Sequence, residues 1–103
     1  MIKVTILKDN NLISNIKISG HSGYAEYGSD IVCAAVSSIT TTTVNGILSI
    51  NETIKAIDDG NTLEITVLEH NDVTDKLLIN MIKLFEGIEI QYKENLKVIT
   101  KGE

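Results

Sequence analysis

Residues 31–50, IVCAAVSSITTTTVNGILSI, decide the fold that we predict for this chain. β-Branched residues fill the stretch, and the threonine run at 40–43 disfavours a helix. Twenty residues are nevertheless far longer than a typical strand of about 5 to 6 residues. The spacing therefore decides for a long helix, because residues suited to packing on a sheet recur at three- and four-residue intervals, at Val32, Val36, Ile39, Thr43, Gly46, Ile47 and Ile50.

Two strands are predicted before this helix. Residues 2–8, IKVTILK, alternate apolar and polar side chains with the period of a half-buried strand, and residues 12–19, LISNIKIS, place Ile16 and Ile18 on one face. The intervening residues 9–11, DNN, are turn formers. The two segments are therefore predicted to pair as an antiparallel hairpin.

The connection between hairpin and helix is rich in glycine. Residues 20–30 carry too little apolar content to pack by themselves, so we predict a mobile loop. Asp30 ends this loop and is a good N-cap for a helix that begins at Ile31. Its carboxylate can accept hydrogen bonds from the first free N–H groups.

A second hairpin and a second helix are predicted in the C-terminal half. Residues 53–57 and 62–68 flank Asp-Asp-Gly-Asn at 58–61, which carries the Asp-Gly hairpin signal. Asn71 or Asp72 can then cap a helix that reaches about Tyr92. Its predicted apolar stripe comprises Val73, Leu77, Met81, Leu84, Phe85 and Ile88.

A final strand at 96–100, LKVIT, completes the order ββαββαβ. This order predicts an α+β two-layer sandwich in which two helices pack on a mostly antiparallel sheet. A chain of 103 residues is the size of one domain, so we expect residues 1–103 to form a single domain.

Composition limits the classes of function. A formal charge of −5 should repel phosphate backbones and anionic membranes, and the scarcity of aromatic residues gives no stacking platform for single-stranded nucleic acid. We therefore expect no direct nucleic-acid binding. No apolar run is expected to be long enough for a membrane span. One cysteine cannot form an internal disulfide and the N-terminus lacks the regions of a signal peptide, so a cytoplasmic protein is expected.

Cys33 is the strongest candidate for chemistry. As the third residue of the predicted helix it would lie among unpaired N–H groups at the positive end of the helix dipole, which favours a thiolate and could hold an oxyanion. If the loop folds back, His21 could accept the thiol proton and later protonate a leaving amine. Ser37 lies one helical turn after Cys33 on the same face and could bind substrate or only its own helix backbone.

Structural interpretations compete with each of these assignments. A lone cysteine near a helix start is more often a small buried hydrophobe, a lone histidine is usually a surface residue, and Asp30 is more often only a helix cap. The glycines match no phosphate-binding spacing, and Cys33, His21 and His70 lack paired ligand spacing. We therefore expect neither a metal site nor a cofactor, and a surface or loop position for His70.

Gly20-His21 and the segment Gly28 to Ser37, GSDIVCAAVS, together resemble the two-part signature of the ribosomal-processing cysteine protease family, Prp. The resemblance implies a homodimeric endopeptidase that removes the N-terminal extension of a large-subunit ribosomal protein precursor. It also implies Cys33 as nucleophile and His21 as base. Supporting roles fall to Gly20, Asp30 and Ser37, with residues 22–29 acting as a flexible cover over the substrate.

The acidity of the chain agrees with a basic ribosomal protein as substrate. From the residues alone, a second class of function stays open. In a non-catalytic ribosome-associated factor, the glycine-rich loop would recognise a basic peptide and Cys33 would be a packing residue.

Overall fold

The computed structural model describes residues 1–20 and 27–103 of the chain. Five strands and two helices follow one another in the predicted order, which confirms the α+β class. Their bounds are β1 Ile2–Asp9, β2 Leu12–Ser19, α1 Tyr27–Ile50, β3 Ile54–Asp58, β4 Thr62–Val67, α2 Asp72–Gln91 and β5 Leu96–Gly102.

The strands form one five-stranded sheet with the order β3-β4-β2-β1-β5. Three neighbouring pairs are antiparallel, whereas β1 and β5 are parallel, with Ile2 opposite Leu96 and Val4 opposite Val98. The prediction of a mostly antiparallel sheet is thus confirmed. The first and last strands lie side by side, and β3 and β5 are the two edges.

Both hairpins owe their tight turns to residues that tolerate a left-handed backbone. Asn10 and Asn11 have φ of 51° and 64° between β1 and β2, the conformation that a two-residue hairpin loop requires. Gly60 has φ of 92° between β3 and β4. There the Asp58 carboxylate accepts a hydrogen bond from the Gly60 N–H at 2.8 Å. The turn residues named in the sequence therefore do form the two hairpins.

The hydrophobic core lies between the sheet and the two helices. Alternate residues of the strands face the helices and are buried, as the period-2 pattern predicted. The only phenylalanine, Phe85, is fully buried on α2. The largest fully buried side chains are Phe85, Ile6, Ile16, Ile47, Ile65, Leu78, Met81 and Leu96.

The buried face of α2 differs from the predicted stripe. Val73 and Leu84 are each 46% exposed, and the buried residues are Thr74, Leu78, Met81, Ile82 and Phe85. The pattern missed Thr74 because a threonine reads as polar, yet its hydroxyl lies 2.6 Å from that of Thr53 and is satisfied in the interior. The cap was predicted correctly as one of two alternatives. The Asn71 side chain accepts a hydrogen bond from the Thr74 N–H at 2.8 Å.

The buried face of α1 also contains a threonine that the predicted apolar stripe did not include. Thr40 is buried and donates its hydroxyl to the Val36 carbonyl at 2.7 Å, whereas Ile50, placed in the predicted stripe, is 65% exposed. A buried threonine is compatible with this helix because its hydroxyl is bonded within the helix itself.

Segment Ile31–Ile50 contains no charged residue and, at 20 residues, is long and apolar enough to cross a membrane. The expectation that no such run exists was therefore wrong. In the fold this segment is part of α1, which packs against α2 and β3 and buries Val32, Val36 and Ile47 in the core. Length and composition cannot distinguish such a core helix from a membrane span.

Candidate active site

Cys33 lies on α1 but not at its start. The helix begins at Tyr27, so Cys33 is its seventh residue and Asp30 its fourth. The predictions of a start at Ile31 and of Asp30 as N-cap are therefore wrong. Gly28 and Ser29 were assigned to the loop because residues 20–30 have little apolar content, but the cost of one helical glycine, about 1 kcal/mol, is small beside the packing of a long helix.

The longer helix changes the electrostatic argument for the thiol. Within α1 the N–H groups without an intrahelical partner are those of residues 27–29, and the field of a helix end falls off within its first turn. The amide of Cys33 lies inside the helix, where it bonds the preceding turn. The predicted oxyanion site at the Cys33 amide is therefore not available, and the helix end does not by itself favour a thiolate at Cys33.

The surroundings of Cys33 are those of a partly accessible side chain. It has intermediate exposure and packs against the hydrophobic core from the α1 side. The purely structural interpretation would require Cys33 to be sealed in the interior, and it is not. A partly accessible thiol can meet a substrate while the core holds its position.

Gly20 fixes how the chain leaves β2 immediately before His21. Its φ is 92°, and a Cβ atom at this position would overlap the backbone carbonyl oxygen of Met1. Only glycine fits this close approach of two backbones without strain. His21 and residues 22–26 lie outside the described residues, whereas Tyr27, Gly28 and Ser29, predicted as part of a loop, belong to α1.

A cavity of about 140 Å³ opens beside α1, one helical turn after Cys33. Ser37 lies four residues after Cys33, on the same side of the helix, and lines this cavity. The lining residues, from α1, β2 and the β3–β4 hairpin, are Ile18, Val36, Ser37, Thr40, Thr41, Asp58 and Leu63. Apolar side chains and hydroxyl groups thus share one groove with a carboxylate.

Of the residues that line this groove, sequence reasoning had named only Ser37 as a site candidate, whereas Ile18 and Val36 were predicted to be packing residues. Thr40 and Thr41 follow Cys33 by seven and eight residues, a spacing that places them along the same side of a helix, so this signal was present in the sequence. Asp58 and Leu63 could not have been found in the same way. They reach α1 only because the β3–β4 hairpin lies at that end of the sheet.

The turn beside the groove is held by side-chain to backbone hydrogen bonds. Asp59 accepts from the N–H groups of Thr62 at 2.7 Å and Asn61 at 2.9 Å. These bonds hold the pKa of the Asp59 carboxyl below its ordinary value of 3.8, and the bond from Thr62 has the largest effect. They stabilise the ionised form of Asp59 and so the hairpin that presents Asp58 to the cavity.

The second histidine, His70, is exposed in the connection between β4 and α2, as predicted. Its Nδ1 lies 2.9 Å from the Asp75 carboxylate. Leu63 of β4 lines the groove beside α1, whereas Val67 ends the same strand about 14 Å away at 3.4 Å per residue, and His70 follows beyond it. His70 therefore lies at the opposite end of the sheet from the groove.

Across residues 1–20 and 27–103, no three His, Cys, Asp or Glu side chains come together in a group that could hold a metal ion. The expectation that no metal or cofactor is needed remains a prediction.

The chain matches the family model described as cysteine protease Prp over residues 1–97. It is 31% identical to the ribosomal processing cysteine protease Prp of Staphylococcus aureus (strain Mu50 / ATCC 700699), over 95% of this chain and 97% of that protein. It is 32% identical to the protein of the same name from Bacillus subtilis (strain 168), over 97% of both chains.

Two crystal structures of the S. aureus protease share the fold. The complex with a substrate peptide has a TM-score of 0.87 and 29% sequence identity, and the complex with a covalently linked product peptide has a TM-score of 0.83 and 31% identity. Each comparison covers 98% of this chain and 100% of the other. Sequence and fold agree over nearly the whole length, and the chain therefore belongs to the Prp family of ribosomal processing cysteine proteases.

Proposed function

We propose that this protein is an endopeptidase that removes the N-terminal extension of a large-subunit ribosomal protein precursor, with Cys33 as nucleophile and His21 as general base. One observation carries the assignment of the nucleophile. A cysteine protease attacks with a thiolate, and the chain contains a single cysteine. Family membership, together with the partial exposure of Cys33, favours this catalytic role over the non-catalytic binding factor.

The choice of base follows from the positions of the two histidines. His70 is paired with Asp75 at the end of the sheet remote from the groove. His21 directly follows Gly20, whose backbone conformation sets the direction of the chain as it leaves β2. We therefore assign to His21 the transfer of the proton.

In the proposed reaction the His21 imidazole accepts the proton of the Cys33 thiol as sulfur attacks the scissile carbonyl carbon. Collapse of the tetrahedral intermediate breaks the C–N bond, and the imidazolium gives its proton to the leaving amine. The acyl group remains on sulfur as a thioester. Water then attacks the thioester while His21 accepts its proton, which releases the carboxylate product and restores the thiol.

The groove beside α1 is proposed to hold a substrate side chain next to the scissile bond. Ile18, Val36 and Leu63 offer apolar contact, while Ser37 and Thr41 offer hydroxyl groups at the exposed side of the helix. Asp58 adds a carboxylate at the hairpin end, which suits a basic substrate.

Supporting roles are proposed for three further residues. Gly20 permits the backbone conformation before His21, and Ser37 binds the peptide next to Cys33. Asp30 lies in the first turn of α1, where a carboxylate interacts favourably with the positive end of the helix dipole.

A homodimer in the cytoplasm completes the proposal. The C-terminal end of α1 supports it, because no charged residue occurs between Ile31 and Ile50, and Leu48 and Ile50 are exposed apolar side chains. A second copy that covers this end of the helix would remove both side chains from water. Light scattering coupled to gel filtration should give twice the monomer mass, and Leu48→Glu should give the monomer mass of 11.3 kDa. A wild-type monomer at micromolar concentration would contradict the dimer.

The cleavage reaction is tested by incubating the purified protein with the ribosomal protein precursor and measuring intact masses over time. Cys33→Ala should form no product. His21→Ala should slow cleavage about 100-fold or more, the range of general base catalysis. His70→Ala is the matched control and should cleave at the wild-type rate. Full cleavage by Cys33→Ala or His21→Ala would remove that residue from the mechanism.

A further inference from the structure

The sheet has a second face, turned away from the helices. We define the outer sheet face as the three rows of strand residues that cross at least four strands and whose neighbours in sequence point into the core. The register places them in three rows across the sheet: Lys55, Thr66, Asn15, Leu7 and Lys101; Ile57, Glu64, Lys17, Thr5 and Ile99; and Thr62, Ser19, Lys3 and Lys97.

This face is basic in an acidic protein. Its three rows carry five of the nine lysines of the chain and, of the fourteen acidic residues, only Glu64. The alternation of β1 places Asp9 on the same side, one position beyond the first row. The formal charge of the three rows is therefore +4, whereas the remaining four lysines and thirteen acids give the rest of the chain −9. Charge is segregated between the two sides of the molecule.

The lysines are accessible and spread over the whole face. All five are exposed. Lys17 lies 3.7 Å from Glu64, and within the described ranges no carboxylate lies within ion-pair distance of the other four. From a strand spacing of about 4.8 Å and a rise of about 3.3 Å per residue, Lys55 and Lys101 lie about 19 Å apart and Lys97 and Lys101 about 13 Å apart.

A net charge of −5 does not by itself prevent an anion from binding here. The smallest dimension of the molecule is 21 Å, whereas the Debye length at physiological ionic strength is about 8 Å. Salt therefore screens much of the effect of acids on the helix side, and an anion at the outer sheet face interacts mainly with the lysines. The expectation of no direct nucleic-acid binding rested on net charge and on the lack of aromatic residues for stacking single strands, and neither describes how a duplex backbone would meet this face.

We propose that the outer sheet face binds the phosphate backbone of double-stranded RNA. None of its fourteen residues is aromatic, so it offers no stacking surface for bases, and five lysines interspersed with hydroxyl side chains match a repeating phosphate backbone. The identification of the nucleic acid as RNA rests on the proposed function, because a ribosomal protein occurs beside RNA. The helix side, which carries Cys33, stays accessible to the precursor.

Fluorescence anisotropy with a 20-base-pair RNA duplex of random sequence tests the surface. If four or five phosphates are contacted, affinity should fall about 150- to 500-fold between 50 and 200 mM salt. Lys3→Gln with Lys97→Gln should weaken binding about 50-fold at 100 mM salt and lower the salt slope by about 2. The matched control, Lys83→Gln with Lys93→Gln, removes two exposed lysines from the helix side and should leave affinity within about threefold of wild type, because phosphates bound at the far face are screened from them.

Several outcomes would overturn the proposal: no binding at 50 mM salt, equal losses in both double variants, or tighter binding of a DNA duplex of the same length. Displacement of RNA by polyglutamate at equal charge concentration would instead assign the face to an acidic protein. Both double variants should cleave the isolated precursor at the wild-type rate, and Cys33→Ala should bind RNA normally. Failure of RNA binding is thereby distinguished from failure of the protease assignment.

Discussion

The hydroxyl groups of Thr53 and Thr74 lie 2.6 Å apart where both residues are almost completely buried, and they join the segment before β3 to α2. Each hydroxyl is the hydrogen-bond partner of the other. Thr53→Val or Thr74→Val alone should lower the free energy of unfolding by about 1–3 kcal/mol, because one buried hydroxyl would be left unsatisfied. Urea unfolding measures this loss.

The double variant Thr53→Val/Thr74→Val is the control for this pair. It replaces both polar groups by apolar groups of similar shape, so it should be more stable than the sum of the single losses implies. Strict additivity of the two single losses would show that the hydroxyls do not interact.

Gly20→Ala should reduce both stability and cleavage. The new methyl group would overlap the Met1 carbonyl, so the end of β2 would have to shift and His21 would shift with it. Gly87→Ala is the matched control, since a Cβ there meets nothing within 4 Å and alanine favours the helix by about 0.5–1 kcal/mol. Thermal unfolding should show opposite changes in stability for the two variants. Precursor cleavage should fall for Gly20→Ala only. A Gly20→Ala protein with wild-type values of both would refute this account.

Thr41→Phe should lower kcat/KM for the precursor about tenfold or more, because a benzyl group would occupy the groove beside α1. Thr42→Phe places the same side chain at the next exposed position, which does not line the groove, and should leave kcat/KM unchanged. Equal effects of the two substitutions would place the substrate elsewhere.

Alkylation by iodoacetamide reports the activation of Cys33 without any substrate. At pH 7 the wild-type thiol should react faster than N-acetylcysteine, because in the proposed mechanism the imidazole of His21 accepts its proton. His21→Ala should abolish this advantage, whereas His70→Ala should retain it. Identical rates for the wild-type and His21→Ala proteins would exclude His21 as the base.

Asp59 should contribute to the acid sensitivity of the fold. Its pKa is lowered in the folded state, so the stabilisation is present above the unfolded value near 3.8 and is lost as pH falls through the lower folded value. In Asp59→Asn that part of the pH dependence should disappear, so the stability difference from wild type should shrink below pH 3.8. Urea unfolding from pH 2.5 to 7 measures it, and parallel profiles over this range would contradict it.

The elements were predictable where local sequence specifies local geometry. Asn10 and Asn11 adopt the left-handed backbone of a hairpin turn, and Asn71 caps α2, because these preferences belong to the residues themselves. The start of α1 was not predictable in this way. Gly28 and Ser29 have low helix propensity and become helical through the packing of the helix to which they belong.

The candidate site was predictable only in part for the same reason. Cys33 and Ser37 are related by helical spacing within one element, so the sequence indicates that they share a side of α1. Asp58 joins them through the pairing of β3 with β4 and of β4 with β2, which depends on contacts between residues far apart in the chain. The parallel pairing of β1 with β5 is equally non-local.

The absence of charged residues between Ile31 and Ile50 has a consequence for the protein outside its native state. When the chain unfolds, Ile31–Ile50 presents twenty residues that no ionic repulsion keeps apart, and such stretches associate between molecules. Recovery after heating should therefore fall as protein concentration rises. Aggregation, and not loss of the native contacts as such, then sets how long a sample survives at elevated temperature.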